Sequence, residues 1–168
     1  PAAAAAAPTF MTAITDSYCV AGNPVAHSRS PWIHARFAEL TGQQLSYERA
    51  LVALDGFAAF VQDFAAAGGK GCNVTVPFKL QAAELATSAS DRVRLAGAAN
   101  TLVLGADGIH ADNTDGLGIV ADITRNAGIA IAGCDVLLLG AGGAAAGALG
   151  SLLEQKPRRI AVVNRTHA

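Results

Sequence analysis

Charge is scarce in this sequence: only 15% of its 168 residues are charged, 12 basic against 13 acidic, giving a net charge of −1 at pH 7. With no Lys/Arg block to attract polyanions, neither nucleic acid nor an anionic membrane is expected as a partner. Aromatic residues are few, at 5%, and much of the 52% hydrophobic content is Ala. No run of about 18 large apolar residues occurs, so a transmembrane helix is not expected. The three cysteines, Cys19, Cys72 and Cys134, are odd in number and widely spaced, which supports neither a disulfide framework nor a CxxC metal site. A reducing cytoplasm is the simplest setting. Disorder, collagen and coiled coil are excluded by the same composition, and the length suits one domain or slightly more.

Pro1 to Phe10 is an apolar leader without preceding basic residues, and its bulk is Ala, which fits a secretory signal poorly. It reads as low-complexity extra sequence, since the single Met, Met11, follows it directly and suits a natural start. From Ser17 onward short apolar runs alternate with longer periodic ones. Tyr18–Ala21, Ser46–Val52 and Gly71–Val76 are expected strands, followed in turn by helices over Pro31–Leu40, Phe57–Ala67 and Pro77–Ala86. That alternation predicts an α/β fold with a mainly parallel sheet. Pro31 and Pro77 are placed in the first turns of their helices. Asn100–Leu104 and Ile109–Ala111 read as a hairpin with a glycine-containing turn, expected at a sheet edge. A helix is expected over Asn113–Asn126, capped by Asn113 or Thr114.

The last third contains a complete βαβ unit. Asp135–Leu139 and Arg159–Val163 are its strands and Ala144–Glu154 its helix. Between first strand and helix stands Gly140-Ala141-Gly142-Gly143-Ala144-Ala145, a GxGxxA pattern. In that context Gly140 permits the tight turn, Gly142 lets the backbone approach a pyrophosphate at the helix N-terminus, and Ala145 lets helix and strand pack closely. The competing reading is an Ala/Gly packing helix. Where an NAD site offers a carboxylate to the ribose, this strand end reads Asn164-Arg165-Thr166. An arginine flanked by amide and hydroxyl groups suits a 2′-phosphate, which favours NADP, although Arg165 also reads as a solvated strand-end residue.

The first part of the chain holds its own polar clusters. His27-Ser28-Arg29-Ser30-Pro31 leads from a strand into a helix, so Ser28 and Ser30 either receive a carboxylate or serve as an ordinary turn and cap. Asn73-Val74-Thr75-Val76-Pro77-Phe78-Lys79 places Thr75 and Lys79 around a second strand-to-helix junction, where ligands of parallel sheets collect. His27 and His34 are seven apart with no third ligand nearby, so no metal is expected. Neither Tyr18 nor Tyr47 has a lysine four residues on, which sets aside a short-chain dehydrogenase.

Taken in order, these motifs resemble those of the shikimate dehydrogenase family. The loop Gly22–Pro31 matches GxPxxHSxSP, Asn73–Lys79 matches NVTxPxK, Gly97–Thr101 matches GAxNT and Asn113–Gly116 matches NTDG, ahead of the glycine-rich turn and Asn-Arg-Thr. Ala35 departs from the Asn common in the family. The resemblance implies residues 11–113 as a substrate-binding, catalytic domain and 114–168 as part of a Rossmann-type NADP-binding domain. It implies reversible NADPH-dependent reduction of 3-dehydroshikimate to shikimate. Ser28 and Ser30 would hold the carboxylate; Thr75, Asn100 and Asp115 would bind ring hydroxyls; Lys79 and Asp115 would form the acid/base pair. Alternatives are a non-catalytic or truncated shikimate-binding module, or a quinate/shikimate dehydrogenase. Family members continue through the rest of the nucleotide domain and a helical return that adds a substrate-binding glutamine. Little or no turnover is therefore expected of these 168 residues alone. Oligomeric state is not readable.

Overall fold

Alternation with period two builds one face of the main sheet into the core. Residues 15–166 are described by the computed structural model, and the leader with Met11 lies outside them. Strands β1 (Asp16–Gly22), β2 (Leu45–Leu51) and β3 (Gly71–Val74) run parallel. The hairpin β5 (Thr101–Gly105) and β6 (Gly108–Asp112) adds antiparallel to β3, and a two-residue β4 (Ser88–Ala89) pairs parallel with β6. The order is β2-β1-β3-β5-β6-β4, mostly parallel as expected. The hairpin does not form the edge, because β4 pairs outside it.

Cys19 and Ala21, Cys72 and Val74, Leu102 and Leu104 recur every second residue and are buried together. Over them lie Phe57 and Val61 of α2 (Phe57–Ala66), Phe78, Ala82 of α3 (Lys79–Leu85), and Val93 of α4 (Asp91–Ala96). The rings of Phe57 and Phe78 stack with centroids 4.9 Å apart. Cys19 and Cys72, far apart in sequence, are register partners on neighbouring strands, and both are free thiols. On the opposite face sits α1 (Ser30–Thr41), whose His34 stacks on Tyr47 of β2.

Several boundaries differ from the sequence reading. Pro31 does occupy the first turn of α1. Pro77 stands outside α3, because the Phe78 N–H donates to the Thr75 carbonyl and closes a turn that ends where Lys79 begins the helix. The helix expected over Asn113–Asn126 is α5 (Asp115–Ala121) followed by a π-helical turn, Asp122–Asn126. Asn113 supplies the cap: its Oδ1 accepts from the Asp115 N–H at 3.1 Å, whereas Thr114 makes no side-chain cap. Strand β4 and helix α4 have no counterpart in the sequence reading. Yet α4 carries legible signals: Ser90 accepts from the Val93 N–H, Asp91 lies in the first turn and Gly97 closes the helix in the left-handed region.

A second, smaller sheet pairs β7 (Asp135–Leu139) in parallel with β8 (Arg159–Val163), joined by α6 (Gly143–Glu154). Its core is Ile131, Ala148 and Leu152. Helices α5 and α6 cross at Gly116 and Gly147. A Cβ at Gly147 would stand 2.6 Å from Asn113 Nδ2, so only glycine lets α6 press on the residue that caps α5. No described helix is long and apolar enough to cross a membrane.

Candidate active site

The carboxyl ends of β1 and β3 and the turns after them form a polar cavity of about 350 Å³. Its walls bring together Ser28, Ser30, Thr75, Lys79, Asn100 and Asp115, the six residues singled out for substrate and catalysis. His27, His34 and Asn73 also line it. Backbone bonds knit the two turns: Thr75 N–H donates to the Ala21 carbonyl at 3.0 Å and Asn23 N–H to the Val76 carbonyl at 2.9 Å.

At one point in this cavity Lys79 Nζ donates to Asp115 Oδ2 at 2.6 Å, with side chains only 13% and 24% exposed. Partial burial strengthens such a pair and holds the ammonium in one place. Asn100 fixes the carboxylate from its other oxygen, its Nδ2 donating to Asp115 Oδ1 at 2.9 Å. Lys79 opens α3 and Asp115 opens α5, so two helix starts converge on one ion pair. Ser30 is the first helical residue of α1, and the helix has no side-chain cap. Ser28 Oγ accepts from the Ser30 N–H at 3.2 Å and donates to Ser30 Oγ at 3.1 Å. Ser30 itself caps nothing, whereas Ser28 sits in a turn closed by its N–H to the Val25 carbonyl and its Oγ takes the first helical N–H; both hydroxyls stand at the N-terminal end of a helix, where a carboxylate is favoured.

Sequence reasoning left His34, Asn73 and Tyr47 without a site role. His34 stacks on Tyr47 with centroids 4.1 Å apart and planes 4° apart, and Tyr47 Oη donates to Asn73 Oδ1 at 2.6 Å. Burial lowers the His34 pKa, partly countered by the neighbouring Asn73 side chain. Burial likewise pushes the Tyr47 phenol up. Asn73 opens the Asn-Val-Thr motif and could have been found from it; Tyr47 lies in no motif.

The glycine-rich turn begins where β7 ends. Gly140 has φ +112°, a conformation that favours glycine, and its N–H donates to the Val163 carbonyl at 2.7 Å, so Asn164–Thr166 lies beside the turn at the same end of the small sheet. A Cβ at Gly142 would meet nothing within 4 Å, leaving the backbone open to a ligand rather than filled by the protein. Helix α6 has no side-chain cap and no acid in its first turn, so its leading N–H groups suit a phosphate. Gly143 backs onto Lys79: a Cβ there would stand 3.3 Å from the lysine Cβ. Arg165 and its neighbours are exposed.

A polar cavity with a lysine–aspartate pair, beside a glycine-rich turn between strand and helix, defines an α/β protein. Residues 20–102 match the family described as shikimate dehydrogenase substrate binding domain. A relative from Acidovorax sp. strain JS42, named shikimate dehydrogenase (NADP(+)), is 74% identical over 94% of this chain and 56% of its own length. Among solved structures, an Ael1 enzyme from Pseudomonas putida is 46% identical with a TM-score of 0.83, covering 90% of this chain and 56% of that one. Shikimate 5-dehydrogenase from Thermus thermophilus, solved in complex with NADP(H) and shikimate, is 32% identical with a TM-score of 0.82, covering 90% of this chain and 57% of that one. Over nearly its whole length the chain is similar to shikimate dehydrogenases. It spans about half the length of the curated relatives it matches.

Proposed function

We propose that this chain carries the substrate site of an NADP-dependent shikimate dehydrogenase together with the first βαβ turn of its dinucleotide unit, the boundary falling between residues 113 and 114. The observation that carries the reading is the Lys79–Asp115 pair, held at 2.6 Å in the cavity that also contains Ser28 and Ser30. Ser28 and Ser30, at the start of α1, receive the substrate carboxylate. Thr75, Asn100 and Asp115 hold ring hydroxyls. Reduction of a carbonyl turns its oxygen into an alkoxide, and the Lys79 ammonium stabilises that charge and delivers the proton. In the oxidative direction Lys79, held by Asp115, takes the proton back.

Gly140, Ala141, Gly142, Gly143, Ala144 and Ala145 would hold the NADP pyrophosphate through backbone N–H groups and the α6 N-terminus, and Asn164, Arg165 and Thr166 the 2′-phosphate. Bound there, the cofactor supplies or accepts the hydride. A reducing cytoplasm suits the three free thiols Cys19, Cys72 and Cys134.

Calorimetric titration of the 168-residue chain with shikimate tests the reading. Saturable binding is expected, weakened about tenfold or more by Lys79→Met, which removes a charged hydrogen bond. No binding at millimolar shikimate, or an unchanged affinity in Lys79→Met, would overturn it.

A further inference from the structure

One backbone N–H settles how four side chains beside the cavity are oriented. The Thr114 N–H can only donate, and it lies 3.0 Å from Asn100 Oδ1; Asn100 therefore turns its Nδ2 to Asp115. Thr101 Oγ1, 2.9 Å from the same Oδ1, must spend its proton there. It has only lone pairs left for Asn73, whose Nδ2 stands 3.3 Å away and also 3.4 Å from the Asn100 carbonyl, a pure acceptor. Asn73 Oδ1 consequently faces Tyr47, and the phenol must donate to it at 2.6 Å. Every bond thus points one way: Tyr47 to Asn73, to Thr101, to Asn100, to Asp115, the carboxylate that grips Lys79.

We propose that Tyr47 is a positioning residue: its hydroxyl closes a one-directional hydrogen-bond relay across β2, β3 and β5 that keeps Asp115, and through it Lys79, aimed into the cavity. The stack on His34 holds the ring, and burial keeps the phenol protonated and able to donate. Without that donor Asn73 Oδ1 has lost its short partner and the amide is held only by the longer contacts of its Nδ2, 3.3 Å to Thr101 Oγ1 and 3.4 Å to the Asn100 carbonyl, so it shifts and the bonds from Thr101 to Asn100 loosen with it. Linked hydrogen bonds of this kind polarise and support one another, so removing any member is felt at the others.

The geometry stands without the shikimate reading, but its ligand readout rests on it, and two measurements keep the two apart. In the 15N-labelled chain, Tyr47→Phe keeps the ring and is expected to shift the side-chain amide signals of both Asn73 and Asn100. Val103→Ala, beside the same sheet face and outside the relay, is expected to leave both in place. Unmoved Asn100 signals in Tyr47→Phe would overturn the proposal whatever the chain binds. For shikimate affinity, Tyr47→Phe and Thr101→Val are each expected to weaken binding about three- to tenfold, and the double variant no more than the worse single one, since one unit is broken either way. Losses that multiply would show two independent residues and overturn it. Failure of the unmodified chain to bind shikimate would contradict the proposed function and leave the amide signals to decide the relay.

Discussion

The two sheets of this chain show what a finished site requires. The six-stranded sheet encloses a continuous core from Cys19 to Ala111, with four helices against it, and its polar cavity is lined by residues that hold one another in place. The two-stranded sheet has a core of three buried residues and leaves Leu137 59% and Leu139 81% exposed, with Val162 and Val163 open beside them. Its glycine-rich turn is nonetheless shaped. Backbone conformation and a short parallel register suffice to shape a glycine-rich turn, whereas a half-buried lysine–aspartate pair needs partners from several elements and a core to fix them.

Core truncation should separate the two regions most sharply. Phe78→Ala removes a fully buried, stacked ring and is expected to cost about 3–5 kcal/mol, while Leu152→Ala is expected to cost about 2–5 kcal/mol in the smaller core. Amide exchange reads the difference: Phe78→Ala should deprotect β1 and β3, and Leu152→Ala should deprotect β7 and β8 with β1 and β3 unchanged. Loss of protection throughout in both variants would mean the regions unfold as one. A smaller effect is expected where they touch. Gly147→Ala drives a methyl into Asn113, costing about 1–3 kcal/mol and, because Asn113 caps α5 beside Asp115, weakening shikimate binding as well. Thermal melting and titration of that variant check both effects.

Much of this was legible in the sequence because it rests on local rules. Three parallel strands, the first turn of α1 and the βαβ unit follow from periodicity and from proline and glycine placement. The convergence of Lys79 and Asp115, 36 residues apart, was implied by motif resemblance alone, since no local pattern encodes a contact between two helix starts. Helix α4, despite its cap signals, is too short at six residues to show a helical periodicity. Tyr47 was invisible for another reason: its role depends on the pairing of β2 with β1 and of β1 with β3, which brings its hydroxyl to Asn73. A register shift of one residue would point that side chain to the other face.

The smallest expected effect concerns acid stability of the larger region. Burial pushes the Asp112 carboxyl up, but the Arg92 guanidinium, the Ser90 hydroxyl and the Asn113 N–H outweigh it and hold the group below the usual carboxylate range. A depressed folded pKa contributes stability that is present above the unfolded value of about 4 and fades as pH falls through the lower folded value. Arg92→Leu should therefore narrow the difference in melting temperature between pH 6 and pH 3. An unchanged difference would mean the pair adds nothing to acid resistance.

If the larger sheet and the glycine-rich turn each build a ligand site, two ligands should perturb two separate sets of amides. Amide chemical-shift mapping with shikimate and NADP+ added separately tests it directly. Shikimate is expected to move signals around Ser28, Ser30, Thr75, Asn100 and Asp115, and NADP+ those of residues 140–145 and 164–166. Shikimate shifts centred on the glycine-rich turn, or shifts with neither ligand, would contradict the account.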